Sequence, residues 1–249
     1  MKTSNYLVIR LYGPLASWGD AAVGGDRPSH IRPTRGALLG LVAAALGIKR
    51  EDKADLNTLN EALSCHVKQY NAGSLLRDFH TAQVPSEDKK AHLYTRRDEL
   101  YKSKKVNTVL SNRDYRESGL WVVALESSSS TYSLEVIRAA LLRPKYMLYL
   151  GRKSCPLAAP LCPTLVENVS LKAALDHEFP PILGTEQADS IWLKPDKIVS
   201  YYWQGDRADL IEEQAERVHT QTVRDNPIDR KEWLFDLRTE HQLVVEYQR

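Results

Sequence analysis

The chain is 249 residues long, 43% hydrophobic and 27% charged, with a formal net charge of +2 and three cysteines. That length supports one large domain, or one domain with a sizeable appendage, around a core that needs no disulfide or metal staple. The odd cysteine count argues against a disulfide framework, the lack of any apolar run near the roughly 20 residues that cross a bilayer argues against a membrane span, and a reducing cytoplasm fits both.

Residues 5–12 (NYLVIRLY) alternate Leu7, Ile9 and Leu11 with Val8, Arg10 and Tyr12, a period of two that predicts a strand. The same pattern, without a long apolar region or a small-residue cleavage site, argues against a signal peptide. The stretch GPLASWGDAAVGGDRPSHIRP is too rich in Gly and Pro for a regular element, and a connection of about 20 residues in a compact domain is usually functional. Thr34 then caps a helix whose apolar side carries Leu38, Leu39, Leu41, Val42, Ala45 and Leu46 and which Gly47 ends. A polar helix over 53–63 and a strand CHVKQY follow. Residues 89–116 hold nine Lys+Arg against three Asp+Glu, with Tyr94, Tyr101 and Tyr115 interleaved. Flanked by strand-like LLRDFHTAQV and VNTVLSNRDY, this segment predicts a projecting β-hairpin inserted at about 82–112.

GLWVVALE reads as a buried strand, 127–130 as a turn, 133–142 as a helix capped by Ser133, and KYMLYL (145–150) as a further strand. The order β-α-β, hairpin, β-α-β is that of an RRM-like (ferredoxin-like) α+β fold, here over residues 1–160. Beyond it a helix VSLKAALDH, a strand IVSYYW, a helix ADLIEEQAERV and a final strand HQLVVEYQ predict a smaller C-terminal α+β region, 161–249, packed on the first.

The small total charge hides an asymmetry. Residues 1–175 carry 25 Lys+Arg against 16 Asp+Glu, whereas 176–249 carry 9 against 16. A basic first part suggests a surface for a polyanion, and an acidic remainder either a solvated face or a screen against non-specific binding. Two unrelated solvated faces would give the same counts.

The chemistry-bearing residues concentrate at YLGRKSCP (149–156). Cys155 beside two cations suggests a thiolate nucleophile, but no histidine is near it in sequence to serve as base. A serine elbow needs a Gly-x-Ser-x-Gly frame that is absent, and Cys155 with Cys162 lacks the spacing and partners of a zinc site. Neither a Walker loop nor a Gly-x-Gly-x-x-Gly turn occurs. Phosphate recognition fits better: Gly151 allows close backbone approach, and Arg152, Lys153 and the Ser154 hydroxyl offer two charges and a small donor. The first loop adds Arg27, His30, Arg32 and Arg35 beside the Trp18 indole, and cations among aromatic rings suit single-stranded nucleic acid.

In their order and spacing, GPLASWG, RPTRGALLGLVAAALGI, LRDFHT and above all RPKYMLYLGRKSCPL resemble the Cas-five-type (CasD) subunits of the type I-E CRISPR surveillance complex Cascade, over residues 5–165, with a looser echo in RDNPIDRKEWLF. The resemblance implies an RRM-like domain with a β-hairpin thumb and a smaller C-terminal region. It implies a non-catalytic RNA-binding scaffold of antiviral defence that holds and caps the 5′ handle of the CRISPR RNA, without a cofactor or metal. Its thumb would pack against the adjacent backbone subunit and the large subunit would dock nearby, so target DNA is met only through the complex and is read by base pairing. The RNA-facing positions it implies are Trp18, Arg27, Arg32, Thr34 and Arg35 in the first loop and helix start. Arg77, His80 and Thr81 follow from LRDFHT, then Asn107, Arg113 and Arg116 near the thumb base, and Arg152, Lys153, Ser154 and Cys155 from the 149–156 motif. Some relatives of another subtype cleave precursor RNA with a Tyr, Lys and His group, so the alternative is a metal-independent endoribonuclease. Here Lys104-Lys105 has no adjacent His, and His80 and Tyr94 would have to meet in space.

Overall fold

The computed structural model describes residues 2–20, 22–86, 92–101, 105–193, 196–211, 216–229, 232 and 234–246. In chain order its elements are β1 (Thr3–Tyr12), the two-residue strands β2 (Leu15–Ala16), β3 (Trp18–Gly19), β4 (Asp26–Arg27) and β5 (Ser29–His30), α1 (Arg35–Leu46), α2 (Lys53–Ala62), β6 (Leu63–Asn71), β7 (Ser74–Pro85), α3 (Arg96–Tyr101), β8 (Val106–Glu117), β9 (Leu120–Ser127), α4 (Leu134–Leu142), β10 (Thr164–Ser170), α5 (Leu171–Leu175), α6 (Glu186–Trp192), β11 (Ile198–Trp203), β12 (His219–Asp229) and β13 (Leu234–Glu246).

A seven-stranded antiparallel sheet in the order β10-β1-β9-β6-β11-β13-β12 organises the chain. β1 lies near one end with both faces covered, which is why six successive residues from Tyr6 to Leu11 are buried. Leu7, Ile9 and Leu11 face one cluster with Leu38 and Val42 of α1 and Ile137 and Leu141 of α4. Tyr6 and Val8 face a second cluster with Leu171 and Leu175 of α5 and with Val199, Trp203 and Leu243. Each large apolar side chain so buried stabilises the fold by about 1.5–3 kcal/mol. The helices start where their caps dictate: the Thr34 hydroxyl accepts from Ala37 N at 3.3 Å and the Ser133 hydroxyl from Val136 N at 3.4 Å.

β7 and β8 pair in register from Ser74↔Glu117 to Pro85↔Val106 and form the hairpin, which therefore begins about eight residues before the expected position. The outer edge of β8 also takes β2 in antiparallel and β4 in parallel pairing, so the Gly- and Pro-rich first loop is stitched to the hairpin base by short strands instead of being irregular throughout. Residues 87–91 and 102–104, including Lys104, lie outside the described residues.

Several elements depart from the sequence reading, among them the helices α3 and α6, which it did not include. KYMLYL is not a strand: Lys145 N and Tyr146 N donate to the carbonyls of Ala45 and Ala44 at 3.0 and 3.1 Å, satisfying the open end of α1, and only Tyr149 makes a bridge, to Pro156. The strand that flanks β1 opposite β9 is β10, in a segment whose sequence shows no strand pattern. The helix expected over 169–177 shrinks to α5, capped by Ser170. Of the helix expected over 208–218, residues 212–215 lie outside the described residues, 208–210 form a turn and bend, and 216–217 make only a short 3-10 stretch. β12, which pairs with β13, has no counterpart among the expected elements. Strands from both sides of residue 160 share the one sheet. Among the described residues no helix is long and apolar enough to cross a membrane.

Candidate nucleic-acid interface

The 149–156 motif folds into a closed turn. Leu150 N donates to the Cys155 carbonyl at 2.8 Å and Cys155 N to the Arg152 carbonyl at 2.9 Å, while the Leu150 carbonyl accepts from Ser17 N at 3.0 Å. Leu150 and Cys155 are its fully buried feet. Gly151 has φ +84°, and a Cβ there would sit 1.8 Å from the Ser17 carbonyl oxygen, so the turn can lie against the first loop only as glycine. Lys153 and Ser154 project from it into solvent.

Arg152 reaches the other way. Its Nη1 donates to the Asp114 carbonyl at 3.3 Å and its Nη2 to the Arg27 carbonyl at 3.0 Å, with the guanidinium 4.9 Å from the Tyr115 ring centroid. Directly across the hairpin from Asp114, Arg77 forks onto its carboxylate at 2.8 and 3.0 Å. Arg116 Nε donates to the His30 carbonyl at 3.4 Å, and Arg27 Nη1 to the carbonyls of Gly24 and Asp26. Hydrogen bonding from Arg77, aided by the charges of Arg116 and Arg152, holds the Asp114 pKa below the usual carboxylate range against its burial. Burial is the main influence on Arg116 and pushes its pKa down, Asp114 opposing. Arg27, Arg77, Arg116 and Arg152 thus form a fan of guanidinium groups at the hairpin base, Arg77 on the Asp114 carboxylate and the other three on backbone carbonyls, and guanidinium groups are the side chains best suited to phosphate oxygens.

The hairpin candidates divide between its faces. Arg77, Thr81 and the exposed Phe79 alternate with Asp78 and His80; Arg113 lies opposite Asp78 and Asn107 opposite Val84, on the His80 face. Asn107 Nδ2 donates to the Ser86 hydroxyl at 3.2 Å. Tyr94 lies parallel to the His92 ring, centroids 6.4 Å apart, and Tyr94 is 85% exposed.

Five expected site residues are withdrawn from the surface, which corrects the sequence reading of their side chains. Trp18 is 1% exposed and packs edge-on against Trp121 at 5.1 Å, so it offers no face to a base. Thr34 is spent on capping α1. Cys155 is buried, and burial pushes its thiol pKa up, the opposite of a reactive thiolate. Arg32, 5% exposed, pairs with Glu240 and lies over the Tyr202 ring at 4.6 Å. Arg35 spreads over Asn226 Oδ1, Gln204 Oε1 and the Asn60 carbonyl, while its backbone N donates to Asp225 at 2.8 Å.

Arg238 closes this buried network, binding Asp225 at 2.6 and 3.0 Å and Glu240 at 2.7 Å. Burial opposes ionisation of Asp225, but the hydrogen bonds and charge of Arg238 outweigh it and keep its pKa low. The two first-loop arginines are therefore structural ties from the start of α1 to β12 and β13. Sequence reasoning missed Asp114, Asp225, Arg238 and Glu240; only the first had a signal, since aligning LLRDFHT with SNRDY sets Arg77 opposite Asp114. Among the described residues no group of three His, Cys, Asp or Glu is placed to hold a metal ion.

The model of the family described as CRISPR-associated protein (Cas_Cas5) matches residues 6–239. The chain belongs to the Cas5 family of CRISPR-associated proteins. It is 34% identical over 184 residues to the CRISPR system Cascade subunit CasD of Escherichia coli (strain K12), covering 70% of this chain and 77% of that Cas5 protein. A chain of a solved CRISPR RNA-guided surveillance complex shares its fold with a TM-score of 0.60 at 23% identity, over 97% of this chain and 89% of the other. A solved Cas protein does so at 0.58 and 24% identity, over 97% and 95%. The Cas5 fold seen here is accordingly mixed α and β and mostly sheet.

Proposed function

We propose that the chain is a non-catalytic, RNA-binding scaffold subunit of a Cascade-type complex, and that it holds the 5′ handle of the CRISPR RNA. The observation that carries this reading is the fan of Arg27, Arg77, Arg116 and Arg152 beside the exposed Lys153 and Ser154, built on the motifs that place the chain in its family. Guanidinium groups held on backbone carbonyls, as those of Arg27, Arg116 and Arg152 are, suit the phosphates of a single strand. The unit β1-α1-β6-β9-α4-β10, whose strands lie side by side as β10-β1-β9-β6, is the RRM-like domain in this reading, which extends it to Ser170. The β7/β8 hairpin is its thumb, and its exposed Phe79, Val109 and Leu110 suit packing against a neighbouring backbone subunit. The buried Cys155 thiol, and the stacking of Tyr94 on His92 instead of His80, support a scaffold over an enzyme.

The test is retention of RNA by the assembled complex across a salt series. Arg77→Ala with Arg152→Ala should weaken retention and lower the slope of log affinity against log salt by about 0.7 for each phosphate no longer neutralised. Assembly and RNA retention equal to the unmodified complex at raised salt would overturn the reading. Specific cleavage of repeat RNA by the isolated chain in EDTA, abolished by His80→Ala, would overturn its non-catalytic part.

A further inference from the structure

A groove of about 580 Å³ lies between α1, α2, the Gly151–Lys153 side of the turn and the 227–229 end of β12. Gly40, Ala44 and Leu56 help form an apolar floor, and Tyr146 and Met147, 45% and 80% exposed, stand at its mouth. Lys49, Lys153 and Asn57 lie on its rim, and the one acid among its lining residues, Asp229, is already paired with Lys53 at 2.6 Å.

We propose that this groove receives an unstacked nucleobase of the bound RNA, an inference that rests on the RNA-binding reading above. Three observations select a base. The floor is apolar while the rim is cationic, which matches a base joined to its phosphate; an apolar side chain of a protein partner would leave the rim cations unmatched. The exposed ring of Tyr146 and thioether of Met147 present the flat and polarizable surfaces against which bases stack, and the Asn57 amide offers a donor and an acceptor to a base edge. The groove is also continuous with the phosphate-facing site. Gly151 and Lys153 line it while the intervening Arg152 turns into the arginine fan, so successive residues of one turn face a base on one side and the backbone on the other.

The experiment uses the full chain and a set of oligoribonucleotides covering the 5′ portion of the repeat RNA, each with one abasic site at a successive position. Affinity is measured for the unmodified protein, for Tyr146→Ala with Met147→Ala, and for Arg77→Ala with Arg152→Ala. One abasic position should lower affinity of the unmodified protein about tenfold or more, and the same position should cost the Tyr146/Met147 variant little, because its stacking is already lost. If intact RNA depends on the arginines but no position shows this coupling, the groove assignment is overturned while RNA binding stands. If the Tyr146/Met147 variant binds every RNA normally but loses a protein subunit from the reconstituted complex, the occupant is a protein and the assignment is overturned. If the arginine variant binds intact RNA as well as the unmodified chain, the RNA-binding reading itself fails.

Discussion

In Gly151→Ala the added methyl has no free space: it falls 1.8 Å from the Ser17 carbonyl oxygen and 2.8 Å from its carbon. Two costs add. Holding an L-residue at φ +84° costs roughly 1–2 kcal/mol. The overlap is with backbone, so no rotamer relieves it; the turn must draw away from residues 16–18, losing the Ser17 N to Leu150 carbonyl bond, worth about 1 kcal/mol, and loosening the buried Leu150. A destabilisation of about 3 kcal/mol is expected from urea titration. Gly24→Ala is the control, because Gly24 also has positive φ, +59°, but its added Cβ meets nothing within 4 Å and incurs backbone strain alone. Arg152 should leave the Arg27 and Asp114 carbonyls in the Gly151 variant, so RNA affinity falls with stability. Equal shifts in urea midpoint for the two variants would refute the close-approach argument.

His66 is buried on β6 with both ring nitrogens unpartnered, and burial, then the charges of Arg238 and Arg35, push its pKa down to about 3. The unfolded chain, with an ordinary histidine pKa near 6.5, takes up the proton first, so stability is complete above about pH 6.5 and declines as pH falls toward 3, by about 2 kcal/mol between pH 7 and pH 5. His66→Gln should flatten that limb in denaturant titrations at a series of pH values, and an unchanged slope would count against it. Glu240→Gln removes the carboxylate charge facing Arg32 and Arg238 and should cost about 3 kcal/mol or more of stability, while leaving the salt dependence of RNA binding by the folded protein as it was. A changed salt slope would return Arg32 to the RNA surface.

What could be read from the sequence was local. Thr34 and Ser133 announce α1 and α4, and the alternation in NYLVIRLY announces β1, because caps and periodicity depend on neighbours in the chain. β10 escaped because Thr164–Ser170 is only partly buried and carries Asn168 at φ 53°, so it shows no clean alternation. β12 escaped because HTQTVRDNPID is polar and contains a proline, both signs of a loop, though it forms an edge of the sheet where unpaired backbone is tolerated. KYMLYL has the composition of a strand, but its backbone donors are claimed by α1. At the site, Gly151 and the exposed Lys153 were visible as chemistry. Arg32 and Arg35 carry the same chemistry as Arg27 and Arg77, and nothing local distinguishes them, because Glu240, which pairs with Arg32, and Asp225 and Asn226, which hold Arg35, lie on β13 and β12.

That separation has a consequence for synthesis. Arg32 meets Glu240 across 208 positions and the Arg35 backbone meets Asp225 across 190. At roughly 5–20 residues per second, the entrance of α1 waits about 10–40 s on the ribosome before these partners exist. During that interval Arg32 lacks its Glu240 carboxylate and the start of α1 lacks its Asp225 acceptor. A chain halted before β13 never gains the Arg32–Glu240 pair, so the last strand to be made is the one that ties down the entrance of the first long helix.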